Sequence, residues 1–190
     1  MRGNTNLAAI LLGLYAAQSV TGSMVQTALP VVLRDAGVPL DRIGFQALLF
    51  LLWVFKMFWA PLVDRFGSPR LWILTCQGLL CLCFLLTGWF SPVDGLSVLA
   101  PVLFVMAVLA ATQDIATDAA GIHATGPDTR VLASGASTIG GYLGFLLGGG
   151  IFLWTYARHG WMPSMVVLAL VMLVLALPVV RLNLPAIPAA

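Results

Sequence analysis

The chain has 190 residues, of which 61% are hydrophobic and only 8% charged, with a mean hydropathy of +1.02 and a formal net charge of +2. A soluble domain keeps its surface wet with about 25% charged residues, so this composition excludes a conventional soluble globular domain and points to hydrocarbon as the solvent. The small positive charge, with no Lys/Arg cluster, also excludes nucleic acid as a partner.

A spanning helix takes about 20 apolar residues to cross a core about 30 Å thick, and six such segments use nearly the whole chain. The first is predicted over 7–30. Arg2 ahead of the apolar run 7–17 resembles a signal peptide, but the run continues to Pro30, so a retained first helix is the reading. Within it Gln18, Thr21, Gly22 and Gln26 recur at i, i+3, i+4 and i+8. Such a polar stripe should face protein or water rather than acyl chains. Lining a cavity is the expectation for Gln18, Thr21 and Gln26; interhelical hydrogen bonding is the alternative.

The second helix is predicted over 43–63, after the polar connection 34–42. It carries Lys56, crowded by Trp53, Phe55, Phe58 and Trp59. An ionisable group at mid-membrane costs roughly 2.5–3.5 kcal/mol on insertion scales. Lys56 therefore either snorkels to the headgroups or faces the bundle and pairs with a carboxylate. The loop 64–70 leads to a third helix over 71–90, where Cys76, Cys81 and Cys83 read as small packing residues. With no His or acidic neighbour they suggest no metal site, and no cofactor is implied anywhere.

After a turn at 91–95, the fourth helix is predicted over 96–119 and ends in Gln113-Asp114-Ile115-Ala116-Thr117-Asp118. Asp114 and Asp118 stand four apart, stacked on one helix face. Two close carboxylates in low dielectric cannot both ionise cheaply, so the pair suits taking up and releasing a proton. The alternative is that Asp118 faces water while Asp114 pairs with Lys56. The loop 121–130 carries helix-stopping Gly, Pro and Asp. The fifth helix, predicted over 131–156, holds Gly135, Gly140, Gly141, Gly144, Gly148, Gly149 and Gly150. Its overlapping small-xxx-small spacings predict close helix packing, with bending during transport the alternative. These glycines lie inside an apolar span, not after a strand, which excludes a phosphate loop. The sixth helix is predicted over 163–181, Pro163 suiting a first turn, with a Pro-containing tail at 182–190.

The expected fold is an all-α integral membrane bundle of six helices at 1–181, three helices, a polar loop, then three more, as in the inverted repeats of many transporters. With six spans both termini share a side. That side holds Arg2, Arg65, Arg70, Arg130 and Arg181 against Arg34, Arg42 and Arg158 on the other, which places the termini in the cytoplasm.

The segment Ala60-Pro61-Leu62-Val63-Asp64-Arg65-Phe66-Gly67-Ser68-Pro69-Arg70 resembles the loop between helices two and three of the major facilitator superfamily, Gly-x-Leu-x-Asp-Arg-x-Gly-Arg-Arg/Lys. Leu62, Asp64, Arg65 and Gly67 match; Ala60 replaces the first Gly, Ser68 and Pro69 replace the basic pair, and Arg70 stands one position on. Residues 56–64, 111–118, and 140–150 with Gly160-Trp161 are similar to signatures of muropeptide permeases, acetyl-coenzyme A transporters and rhizobactin/pyochelin-type siderophore permeases. The short second loop and triple glycine lean toward the siderophore branch.

The resemblance implies half of a twelve-helix fold, with a partner supplied by a second copy or another chain. It implies a secondary transporter of the inner membrane that moves a small solute, proton-coupled, by alternating access. Lys56, Gln113, Asp114 and Asp118 would carry coupling, and Asp64, Arg65, Gly67 and Arg70 would form the cytoplasmic gate. A siderophore is the first expected cargo, and a muropeptide-type solute the alternative. A truncated or non-transporting subunit that only binds a partner is a different answer. Enzymatic catalysis is not expected, since His123 and His159 sit on opposite faces with no nucleophile around them.

Overall fold

A computed structural model describes residues 2–90 and 96–180, the side chains of 2–6, 45–47 and 96–98 excepted; the expected turn at 91–95 and tail at 182–190 lie outside the described residues. The described chain is helical throughout. Helix α1 (residues 2–35) runs as Arg2–Ser23, a π turn Met24–Ala28, and Leu29–Asp35. It continues past the predicted stop at Pro30, because a proline in the first turn after the π register shift removes no needed bond. Its end is a Schellman closure: Val38 N–H donates to Leu33 O at 2.9 Å and Gly37 N–H to Arg34 O at 3.0 Å. Gly37 supplies the required positive φ of 80°, and Val38 and Leu33 both join the core.

Helix α2 (residues 40–65) is broken. It passes through Leu40–Phe45, a 3-10 stretch Gln46–Phe50, Leu51–Phe55, a second 3-10 turn Lys56–Phe58, and Ala60–Arg65. Pro61 accounts for the second break: it has no N–H for the Met57 carbonyl, and its ring crowds that oxygen. Helix α3 (Pro69–Gly88) starts at Ser68, whose Oγ accepts from Leu71 N–H at 3.3 Å. Helix α4 (Leu96–Ala124) runs on through the predicted stop at Gly121. Helix α5 (residues 127–159) comprises a 3-10 turn Pro127–Thr129, Arg130–Phe145, a π turn Leu146–Ile151, and Phe152–His159. Gly160, at φ 82°, turns the chain into α6 (Trp161–Val180).

Five runs among the described residues are long and apolar enough to cross a membrane: Leu7–Asp35, Pro69–Gly88, Leu99–Ala124, Pro127–His159 and Trp161–Val180. The chain is thus a multi-pass helical membrane bundle. The second predicted span is absent from that group: the break at Trp59 divides it, and the helical run before the break carries Asp41, Arg42 and Lys56. Helix α1 is central, packing along α5 and touching α4 and α6, while α3 packs along α6 and α4. The core divides into two clusters. One holds Ala17, Val20, Leu80, Phe84, Met106 and Met172; the other holds Leu11, Leu14, Ile73, Ala116 and Val179. Exposed Leu, Val and Phe side chains around the outside, such as Leu82, Leu173 and Phe104, form the surface that acyl chains would cover.

The α1–α5 contact is set by glycine. A Cβ built on Gly140 would stand 2.6 Å from Leu12 O, and one on Gly144 or Gly148 would run closer still into Ala16 O or Val20 O. The three glycines recur every four residues, as do the three carbonyls they meet, so one helix lies backbone to backbone on the other. Close packing, rather than bending alone, is what this small-residue face does.

Candidate functional site

The break in α2 positions the site. The 3-10 turn at Lys56–Phe58 carries the Lys56 ammonium to α4, where it forms an ion pair with Asp114. The Asp114 side chain is 9% exposed and that of Lys56 29%. Lys56 therefore pairs across the bundle rather than only snorkelling. Trp59 fastens the same junction: its Nε1–H donates to Thr112 Oγ1 at 3.2 Å, and Thr112 donates to Val108 O at 2.7 Å.

Asp114 also lies on the wall of a polar pocket of about 270 Å³. Helix α1 contributes Gln18, Ser19, Gly22, Ser23 and Gln26; α2 contributes Phe50 and Trp53; α5 contributes Phe145. Phe50 and Trp53 stack with centroids 6.4 Å apart and planes at 19°, giving the pocket an aromatic side. Opposite it stand amides and hydroxyls from successive turns of α1, with Gln18 Oε1 buried and unpartnered. A carboxylate paired to Lys56, neutral amides, hydroxyls and aromatic faces can together hold a polar, ring-containing solute. A shallower cleft of about 430 Å³, lined by Ser137, Thr138, Gly141 and Tyr142, shares Ser19 and Phe145 with it.

The predicted residues divide. Gln18 and Gln26 line the pocket, but Thr21 does not: it is fully buried in the bundle. The face toward the pocket is Gln18, Ser19, Gly22, Ser23 and Gln26, which leaves Thr21 turned to the interior. Gln113 is likewise fully buried, on a different side of α4 from Asp114. Asp118, one turn beyond Asp114, is exposed; it feels the charges of both Asp114 and Lys56 and interacts with the Tyr15 phenol. Asp64 and Arg65 are exposed and form no ion pair among the described residues. Gly67 makes their turn at φ 83°. Arg70 Nη2 donates to Val180 O at 2.6 Å, holding the loop to the end of α6. Sequence reasoning missed Ser19, Ser23, Phe50, Trp53, Phe145 and Tyr15. Trp53 and Lys56 are three apart, hence on one face, and that spacing was the available signal.

The family model of the Major Facilitator Superfamily matches residues 11–189. An anhydromuropeptide permease of Escherichia coli K12 is 33% identical over 159 residues, 80% of this chain and 32% of that protein. Putative transporter AmpG 3 of Rickettsia typhi is 32% identical over 165 residues, and putative transporter AmpG 4 of Rickettsia felis 26% identical over 170. The match to the first covers 80% of this chain and 38% of that protein, and the match to the second 84% and 41%. The chain thus spans about a third to two-fifths of the length of these relatives. The lean toward a siderophore finds no support in them, and the muropeptide alternative fits them better. A helical membrane bundle with the Leu62-Asp64-Arg65-Gly67 loop, matched by the family model over nearly its whole length, makes this chain a member of the Major Facilitator Superfamily.

Proposed function

We propose that the chain forms one wall of a solute path in a secondary transporter of the inner membrane, and that the solute is of muropeptide type. The observation that carries this reading is Asp114, ion-paired to Lys56, on the wall of a polar, aromatic-sided pocket. A charge pair in low dielectric costs more than apolar packing would, so its place beside a pocket argues for a role in that pocket. The names of the relatives supply the solute class. Amides and hydroxyls on α1, opposite the Phe50–Trp53 stack, suit a saccharide, whose hydroxyls need hydrogen bonds and whose ring faces are apolar.

A proton on Asp114 would release Lys56 to meet a carboxylate of the solute, and Asp118 would be a way-station toward water. The Asp64–Arg65 turn would gate the cytoplasmic side against a second six-helix half, from a second copy or another chain. That half would also cover Gln26 and the open cleft on α5. The Arg distribution supports an orientation with both termini in the cytoplasm; a reporter fused after residue 180 that is active only in the periplasm would refute it.

The test is uptake of labelled anhydromuropeptide into proteoliposomes that carry an inward proton gradient. Wild-type uptake that collapses with an uncoupler and is absent in Lys56→Met supports the reading. Saturable binding with no uptake, even alongside a second six-helix half, would make the chain a non-transporting subunit.

A further inference from the structure

Among the described residues, seven buried side-chain atoms have no hydrogen-bond partner. Apart from Gln18 of the pocket, they are both amide atoms of Gln77, both amide atoms of Gln113, and the hydroxyls of Thr21 and Thr117. All four residues are 0–1% exposed. The two core clusters locate them. On α3, Ile73 belongs to one cluster and Leu80 to the other, with Gln77 between. On α4, Met106 and Ala116 fall in different clusters, with Gln113 between and Thr117 one turn on along the same face. Ile73 shares a cluster with Ala116, and Leu80 shares one with Met106. Helices α3 and α4 pack together, so Gln77 stands near the depth of Gln113. Thr21 lies on α1, which packs against α4, one turn beyond Gln18, and Gln18 meets Asp114 across the pocket.

Two amides facing the same interior layer, with neither bonded to the other, require a third group. A cation would satisfy only their carbonyl oxygens and leave four N–H donors stranded. Water donates and accepts, and a buried water typically makes about three bonds to otherwise unsatisfied polar groups. We infer that Gln77 and Gln113 form an internal hydration site that holds a small water cluster between the two apolar halves of the core, with Thr21 on its first-cluster side and Thr117 on its second-cluster side. The site lies behind the pocket wall and joins α3 and α4 at a common depth, so it fixes their relative register where apolar packing alone would permit sliding.

Water-edited solid-state NMR of the protein in lipid bilayers, with glutamine side chains labelled with nitrogen-15, tests this directly. The side-chain amides of Gln77 and Gln113 should receive magnetisation from water, more slowly than exposed Gln26. If both stay dark while Gln26 responds, the site is dry and the inference fails. Thermal unfolding supplies the second arm. Gln77→Leu and Gln113→Leu singly should each lower the midpoint by about 2–4 °C, because the partner loses its bridge. The double variant should melt at or above wild type. Strictly additive losses would mean the two amides share no site. A wild-type midpoint that rises with sodium, and no longer does so in the double variant, would place a cation there and overturn the assignment to water.

Discussion

The α1–α5 seam and the α2 segment are both membrane-depth helices, yet they are built by opposite means. Along the seam, Gly140, Gly144 and Gly148 bring two backbones together with no side chain between them, leaving no room even for a methyl group. In α2, described residues with side chains are nearly all exposed or half-buried, Ile43 and Val63 being the buried ones. It is held to α4 by polar contacts, the Lys56–Asp114 pair and the Trp59–Thr112 bond. In lipid, apolar surface gains little by leaving one hydrocarbon for another, so helices associate through close packing or through polar bonds. This molecule uses the first to make a rigid wall and the second to attach a segment beside the pocket. The contrast teaches where movement can occur. The seam has no slack, whereas α2 can shift by exchanging a few polar partners.

The largest expected effect breaks the seam. A Leu at Gly148 would drive its Cβ into the Val20 carbonyl, a clash with backbone that rotamer changes cannot relieve. Overpacking of cores costs typically 1–3 kcal/mol, and a collision with main chain exceeds the flexible cases in that range. Gly148→Leu should therefore lose most monodisperse protein on size exclusion in mild detergent. Gly135→Ala, on the same helix but with nothing within 4 Å of the added Cβ, should match wild type or exceed it through better helix propensity. Equal behaviour of the two variants would show that the seam does not hold the bundle together.

Next in size is the polar attachment of α2. Removing one partner of a truly buried ion pair costs about 3–5 kcal/mol; the 29% exposure of Lys56 places this pair below that range. Lys56→Met, which leaves the more deeply buried carboxylate uncompensated, should cost more stability than Asp114→Asn, and the double variant should express better than either. Uptake should stay absent in the double variant even as expression recovers, because the pair is the proposed coupling element. Normal expression and uptake in both single variants would reduce Lys56 to a snorkelling lysine.

A smaller effect is expected from Pro61→Ala. The new N–H can bond the Met57 carbonyl and let the 3-10 turn relax to α-helix, which re-aims Lys56 and Trp59 relative to α4. Helix content should rise slightly by circular dichroism, with folding retained and uptake reduced severalfold. Unchanged uptake would mean that the break does not position the ion pair.

Much of this was legible in the sequence. Apolar length and composition imply spans, and glycines four apart imply a close helix contact. An isolated lysine opposite an aspartate in two apolar runs implies a pair. The loop around Asp64 marks the family. What was hidden depends on register. A π turn shifts every later residue around the helix axis, and a 3-10 turn does so in the opposite sense. Thr21 and Ser23 both precede the first π turn, so regular helical geometry alone separates them: at about 100° per residue Thr21 stands about 60° from Gln18 on the side away from Ser19, Gly22 and Ser23. Helix α2 appears as one continuous apolar run because hydropathy does not register a missing N–H at Pro61. Phe50 and Phe145 gave no signal because aromatic residues in apolar spans are ordinarily lipid-facing, and only the fold brings them to one pocket with Trp53, which the sequence placed no further than beside Lys56.

The smallest predicted effect joins the two regions of the comparison. Ser23 and Phe145 each stand immediately before a π turn, and Ser23 Oγ donates to Phe145 O at 2.9 Å. The bond therefore ties the register shift of α1 to that of α5, at a carbonyl where the regular ladder changes pattern. Both residues also line the pocket. Ser23→Ala removes the donor without adding bulk. Hydrogen bonds between membrane helices average about 0.6 kcal/mol, so the melting midpoint should fall by only about 1–3 °C, far less than for Gly148→Leu. The functional loss should be larger than that stability loss suggests, because the pocket wall at Phe145 loosens while the bundle stays folded: a severalfold weaker apparent affinity for labelled solute, with maximal uptake little changed. A stability loss rivalling that of Gly148→Leu would move the main restraint from the glycine seam to the junction of the π turns. An unaltered affinity would remove Ser23 and Phe145 from the solute path.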